Sequence, residues 1–250
     1  MKKKDLELEI FSRHLILKEF NEKNFNVLQK QNITMIGIGG IGCVAAQYLV
    51  SAGIKNLNII DYDKINLSNL NRQILFSIKD VGQNKGKIAK KRLLAINPGC
   101  KIKYKSTRLS EKNIDAILKN SSIVIDSTDN WETMLLINKY CVNKSIPLVS
   151  ASVIGFDSQV TLFNNKKNKH LCLQCIFPNN TEPDISRCEK VGVIGTASGI
   201  AGLVTAQKVL NYFLSKKRDN DMTMIDIKSL KISNLKIRSN KKCQYLDKKY

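Results

Sequence analysis

A chain of 250 residues, 43% hydrophobic, can build one large core but not more than two small ones. Seven cysteines, odd in number and irregularly spaced, argue against a disulfide framework and fit reduced thiols in a cytoplasmic protein. The net charge of +20 is lysine spread along the whole length beside abundant asparagine and isoleucine. It reads as compositional bias, so nucleic-acid binding is not expected, while attraction of an acidic partner protein stays open.

In chain order, residues 5–30 carry two amphipathic stretches and predict a helical N-terminal arm over 1–30. The basic start is interrupted by acidic residues, so no secretory signal is expected. NITMIGIG is a β-branched run ending in glycines, a buried strand. IGCVAAQYLVSAG predicts a helix stopping at Gly53, and NLNIID a second strand ending at Asp61. After a polar loop comes the helix GKIAKKRLLAI, ended by Asn97-Pro98. Strands KIKYKS and SSIVIDS flank a helix expected from about Glu111 to Lys119. Helix WETMLLINKYCVN and strands PLVSAS and SQVTLF follow. Val191–Leu214 is the best membrane candidate, its Gly195/Gly199 pair imitating a dimer face. Lys208 and several polar residues break it, so a buried helix under a sheet is expected and no membrane association. MTMIDI reads as an edge strand and LKISNLKIRS as an alternating one. Strands alternating with helices predict an α/β fold, Rossmann-like and doubly wound. Its sheet is mostly parallel, with C-terminal antiparallel strands and a cysteine-rich crossover loop over 164–195. A basic tail covers 239–250.

Gly37, Gly39 and Gly42 stand in G-x-G-x-x-G spacing between a strand and a helix, where a backbone can turn tightly around a phosphate. Asp61 ends the next strand, placed for ribose hydroxyls. By themselves these residues say only "nucleotide", with NAD the default. The next loop holds Ser68, Asn69, Asn71 and Arg72, and Lys85 follows. That much cationic and amide chemistry suits a triphosphate whose leaving pyrophosphate gains charge. SIVIDSTDN delivers Asp126, Ser127, Thr128, Asp129 and Asn130 to the carboxyl edge of the sheet. Asp129 is the Mg²⁺ candidate; Asp126 is a cap, a packing carboxylate or a second metal contact.

SRHLIL, GIGGIG, LSNLNRQILF, DSTDN and LVSASVIGF together resemble the ThiF/MoeB/HesA family, bacterial relatives of ubiquitin-activating enzymes, across nearly the whole chain. The resemblance implies a single ATP-binding adenylation domain over 1–250 that activates the C-terminal glycine of a ubiquitin-fold sulfur carrier. It implies Gly40 and Asp61 for the nucleotide and Asn69, Arg72 and Lys85 for the phosphates. It implies Asp129 for Mg²⁺, and Arg13 for the ATP of a neighbouring subunit, hence a homodimer. No general base is needed, because a carboxylate attacks already ionised, and His14 and His170 are expected to be structural.

Cys172 and Cys175 match the first of two C-x-x-C pairs that hold zinc in the family. Cys243 begins the second, but Leu246 stands where its partner would be. Either His170 or Asp247 completes a three-sulfur site, or the site has decayed. A thioredoxin-like role is not expected, since the pair does not open a helix after a strand. Cys188, between Arg187 and Lys190, resembles the sulfur-transfer cysteine of the ThiF branch. Cys43, Cys100 and Cys141 are expected to be packing residues. The expected activity is adenylation of a ThiS-like carrier for the thiazole of thiamine, with sulfur from a cysteine desulfurase or rhodanese-type protein. Alternatives are a molybdopterin-synthase carrier and tRNA threonylcarbamoyladenosine dehydratase. From other classes come an NAD-dependent oxidoreductase, which leaves Arg13, Arg72 and Lys85 idle, and a basic binding module, which leaves Asp61 and Asp129 unexplained.

Overall fold

The computed structural model describes residues 3–165, 171–178, 192–215, 221–238, 240, 243 and 245, with side chains from residue 9 onward. The arm is α1 (Lys3–Leu15), a 3-10 turn at Lys18–Phe20, and α2 (Glu22–Gln29), which opens on Asn21 accepting from the Asn24 N–H. Phe11, Phe20 and Phe25 bury their rings together. Phe25 fills the space where a Cβ on Gly53 would come within 2.4 Å of its ring. That contact, together with a φ of +96°, demands glycine at 53.

Eight strands form one sheet in the order β3-β2-β1-β4-β5-β6-β7-β8. β1 (Asn32–Ile36), β2 (Asn56–Ile60), β3 (Lys101–Lys105), β4 (Ile123–Asp126) and β5 (Leu148–Ile154) are parallel. β6 (Asp157–Phe163), β7 (Asp221–Asp226) and β8 (Lys231–Lys236) continue antiparallel. β8 covers the flank of β7, so the edge expected at MTMIDI lies one strand further on, at KISNLK. Despite its alternating sequence, β8 is exposed along nearly its whole length, as an edge strand tolerates.

α3 (Gly40–Ser51), α4 (Lys85–Ile96) and α8 (Gly195–Leu214) cover one face of the sheet; α5 (Ile114–Leu118) and α6 (Trp131–Asn143) cover the other. Strand β1, buried along nearly its whole length, lies between the two apolar layers. α5 is shorter than the helix expected there, because Asn113 turns back on Arg108 and Ser110 rather than extending the helix. α8 likewise starts at Gly195, not at 191. Gly192 takes a φ of +72°, and Gly192–Ile194 runs extended beside Gly155. The small residues of α8 serve close packing: a Cβ on Gly202 would lie 2.7 Å from the Ile41 carbonyl oxygen of α3. Among the described residues no helix is long and apolar enough to cross a membrane. Strand order reverses between β1 and β4, and a doubly wound sheet opens its ligand crevice at the carboxyl ends beside that reversal.

Candidate functional site

The glycine turn occupies that crevice. Gly37 has a φ of +88°, and a Cβ there would sit 2.9 Å from the Ser127 carbonyl oxygen. A Cβ on Gly42 would come within 2.5 Å of the Gly37 carbonyl oxygen, so the first turn of α3 can lie on the loop only with glycine there. Ser127 Oγ ties β4 to the turn by donating to the Gly37 carbonyl at 2.9 Å. α3 opens on Gly39 with no side-chain cap, which leaves its first N–H groups for an anion.

Asp61 follows β2 and is buried. Its two oxygens accept the N–H groups of Ile38 and Asp63, each at 2.8 Å, so it fixes the glycine turn to the second strand. Burial pushes its carboxyl pKa up, and those N–H groups oppose the shift. The next loop is a 3-10 turn at Leu67–Asn69, capped by Asn66, whose own N–H donates to Asn69 Oδ1 at 3.1 Å. Arg72 Nη1 donates to the Ser68 carbonyl at 2.9 Å and to Asn71 Oδ1 at 3.1 Å. Its Cγ lies 3.4 Å from where a Cβ on Gly40 would be. Arg72 therefore stands against the glycine turn and forms no ion pair with a carboxylate of the described residues. Lys85, at the start of α4, is 7% exposed and donates to Asp63 Oδ2 at 2.8 Å.

Asp126 ends β4 fully enclosed, accepting from Thr128 N–H and Oγ1. Burial raises its pKa to about 6; Thr128 opposes the shift and the charge of Asp129 adds to it. Asp129 is exposed at the same edge, a hard oxygen donor open to a divalent cation. Asn130 is spent locally: its Oδ1 accepts from Thr133 N–H and Oγ1 and caps α6. Arg13 is exposed on α1, and the arm brings it to none of these residues. His14, next to it, packs on Phe20.

The sequence reading missed Gln73. It is 3% exposed, directly follows Arg72, and its Oε1 has no hydrogen-bond partner. Leaving a buried acceptor unpaired costs about 1–3 kcal/mol. The available signal was an amide opening the otherwise apolar run Ile74-Leu75-Phe76.

A second cluster lies apart from the crevice. Cys172, Cys175 and Cys243 are buried together, their sulfurs within 4.8 Å of one another and Cys172 Sγ 3.5 Å from Cys243 Sγ. Val142 and Tyr245 close the pocket. Cys172 is the N-cap of the short α7 (Leu173–Ile176), a four-residue helix that does not directly follow a strand. The hydrogen bond from the Cys172 thiol lowers Cys175 to about 5. The same contact pushes Cys172 up, and burial raises Cys243. Tetrahedral thiolates about a zinc ion stand roughly 3.8 Å apart, so this spacing fits that metal. Cys43, Cys100 and Cys141 are buried packing residues with raised pKa values, as expected. Cys188, Arg187, Lys190, His170, Leu246 and Asp247 lie outside the described residues.

Residues 11–245 match the model of the ThiF family. The chain belongs to that family. A relative from Drosophila persimilis, "Adenylyltransferase and sulfurtransferase MOCS3", is 34% identical over 92% of this chain and 51% of its own length. "Sulfur carrier protein adenylyltransferase" of Thermus thermophilus is 30% identical over 95% of this chain and 90% of its own. This ThiF-family chain thus spans about half the length of the MOCS3 relatives it matches. Among solved structures, E. coli MccB with MccA-N7isoAsn superposes with a TM-score of 0.82 at 21% identity, covering 96% of this chain and 75% of that one. MccB with ATP gives 0.78 at 19%, covering 99% and 82%. At those identities the likeness concerns the fold, and it includes the parallel core and antiparallel end of the ThiF-family sheet. Of the residues singled out in the sequence, the glycines, Asp61, Ser68, Asn69, Arg72, Lys85 and Asp129 gather around the carboxyl edge. Arg13 does not.

Proposed function

We propose that this ThiF-family chain is an adenylyltransferase that activates the C-terminal carboxylate of a ubiquitin-fold sulfur carrier with ATP. The observation that carries this is Arg72, a cation with no carboxylate partner among the described residues, set against the glycine turn, with Lys85 buried at the start of α4. A nicotinamide dinucleotide gives these cations little to do; a triphosphate uses both. The carrier carboxylate oxygen attacks the α-phosphorus. A new P–O bond forms, the α–β anhydride bond breaks, and its electron pair leaves with pyrophosphate. Ribose hydroxyls donate to Asp61. The glycine-turn N–H groups and Asn69 hold phosphate oxygens, with Ser68 supporting Arg72. Arg72 and Lys85 take up the charge that grows on the leaving group. Asp129 would hold Mg²⁺, which supplies further neutralisation of the triphosphate. Arg13 would serve the nucleotide of a second subunit in a homodimer.

The names of the relatives support a sulfur carrier as the substrate class. A ThiS-like carrier for thiamine thiazole and a molybdopterin-synthase carrier fit that support equally. Cys172, Cys175 and Cys243 would hold a structural zinc away from the nucleotide. Cys188 would carry sulfur supplied by a desulfurase or rhodanese-type protein. Gly192 is pinned to the Gly155 N–H at 3.0 Å. A Cβ on Gly195, three residues further on, would meet the Asn71 carbonyl oxygen at 2.4 Å, so this stretch leads directly to the Arg72 loop.

The test is ATP–pyrophosphate exchange with each candidate carrier, followed by intact-mass spectrometry of the carrier with a sulfur source. Exchange should require a carrier ending in glycine, and the carrier that gains the mass of a thiocarboxylate identifies the pathway. Tight NAD(H) binding without carrier-dependent exchange would overturn the reading. Cys188→Ser should keep exchange and lose thiocarboxylate formation; full product from that variant removes Cys188 from the chemistry.

A further inference from the structure

The positive charge is not evenly laid. Residues 81–108, little more than a tenth of the chain, hold nine of its 41 lysines and arginines and none of its 21 aspartates and glutamates. Compositional bias explains an even scatter of lysine, not a stretch cleared of acids. Lys85 pairs with Asp63 and Arg92 with Asp80; the other cations of the stretch form no ion pair with a carboxylate of the described residues. The stretch ends in β3, the outermost strand beyond β2. Lys101 N–H donates to the Lys55 carbonyl and the Lys105 carbonyl accepts from Asp61 N–H, so the main chain of residues 101, 103 and 105 is turned toward β2. That of Ile102 and Tyr104 is turned outward, and no described residue bonds to it. Their side chains lie on the face covered by α4: Ile102 joins the core there, and the Tyr104 ring lies 3.2 Å from where a Cβ on Gly86 would be. Lys101, Lys103 and Lys105 therefore stand in a row on the opposite face, all exposed, at intervals of about 6.6 Å. On the near face α4, packed against β3, exposes Lys87 and Lys91.

Lysines on an open edge keep it from pairing with a second copy of itself, because like charges would then stand opposite one another. The same row attracts the opposite charge. We propose that the β3 edge is a docking site for an extended acidic segment of a partner protein, which adds to the sheet as a further strand. The main chain of that segment pairs with the outward groups of Ile102 and Tyr104, and carboxylates on its alternate residues stand opposite Lys101, Lys103 and Lys105. Any strand repeats its side chains on one face at the interval of β3 itself, so one carboxylate falls to each lysine. A nucleic acid would use the charge but leave the main-chain edge unpaired. It would also find no stacking platform among the lysines, since Tyr104, the one aromatic residue of β3, lies on the other face.

The probe is a dye-labelled peptide of alternating glutamate and valine, followed by fluorescence anisotropy at low salt. It should bind the parent saturably and more weakly as salt rises, while a lysine–valine counterpart stays free. Hydrogen exchange at the Tyr104 N–H should slow by about tenfold in the complex. Lys101→Glu, Lys103→Glu and Lys105→Glu made together alter only exposed side chains; they should weaken the acidic peptide by about a hundredfold and let the lysine peptide bind. Tyr104→Pro keeps every charge and removes one outward donor, a change that an open edge tolerates. It should weaken the peptide by about fivefold. No saturable binding by the parent, or equal binding by the charge-reversed protein, overturns the proposal. Tighter binding of a single-stranded oligonucleotide of equal charge also overturns it and gives the surface to a nucleic acid. Peptide binding that leaves the Tyr104 exchange unchanged overturns it too, since charge would then act without strand pairing.

Discussion

The nucleotide crevice and the thiol pocket are built by opposite means. In the crevice the decisive contacts involve the main chain: Gly37 and Gly42 make room for backbone, Asp61 and Ser127 hold it, and Arg72 is braced on the Ser68 carbonyl. In the pocket, side chains from 172, 175 and 243 bring three sulfurs together among apolar neighbours. A main-chain cradle survives the loss of one side chain, whereas a cluster of three ligands does not. One region should therefore fail in function before stability, and the other in stability before function.

The largest effect expected on that contrast is at Arg72. Arg72→Ala should lower carrier-dependent exchange by about a thousandfold and move the melting temperature by only a degree or two, since its contacts are exposed. A collapse of the fold in that variant would erase the distinction. Cys175→Ser should do the reverse. Metal analysis should show zinc in the parent and little in the variant, with a stability loss of about 4 kcal/mol and with exchange per folded molecule retained. Equal zinc content in both proteins would remove Cys175 from the ligand set.

Asp126 gives the smallest effect and tests the crevice from inside. Its folded pKa of about 6 lies above the ordinary value of 3.8, so folding favours the protonated form. The parent without ligand should thus lose stability as pH rises from about 4 to about 6, with the full cost present above that range. Asp126→Asn should flatten this dependence and gain on the order of 2 kcal/mol at pH 7. Denaturant melts across that range would show it, and parallel curves for the two proteins would deny Asp126 its buried charge.

Legibility followed the same division. The crevice was readable because glycine, a strand end and a following helix are local in sequence, and the β-branched runs of β1, β2 and β4 admit little else. What escaped depends on which partner each residue finds. The edge shifted from β7 to β8 because pairing, not pattern, decides which strand is last. Asn130 proved to be a cap because its partner Thr133 stands three residues away on α6, a pairing that DSTDN alone does not contain. Gln73 was hidden because one amide ahead of an apolar run carries no periodic signal. The thiol pocket was half visible: C-x-x-C declared itself, while the approach of Cys243 depends on how the chain returns after β8.

The docking of Phe25 on Gly53 has a consequence for Arg13. That glycine lies just beyond the far end of α3, whose twelve residues from Gly40 to Ser51 amount to about 18 Å. Phe11, two residues before Arg13, is held at that remote end, its ring 3.3 Å from the same Cβ position. The arginine is thus rooted a helix length away from the cradle of its own chain. An anion bound in that cradle would lie a helix length from where the arginine is rooted.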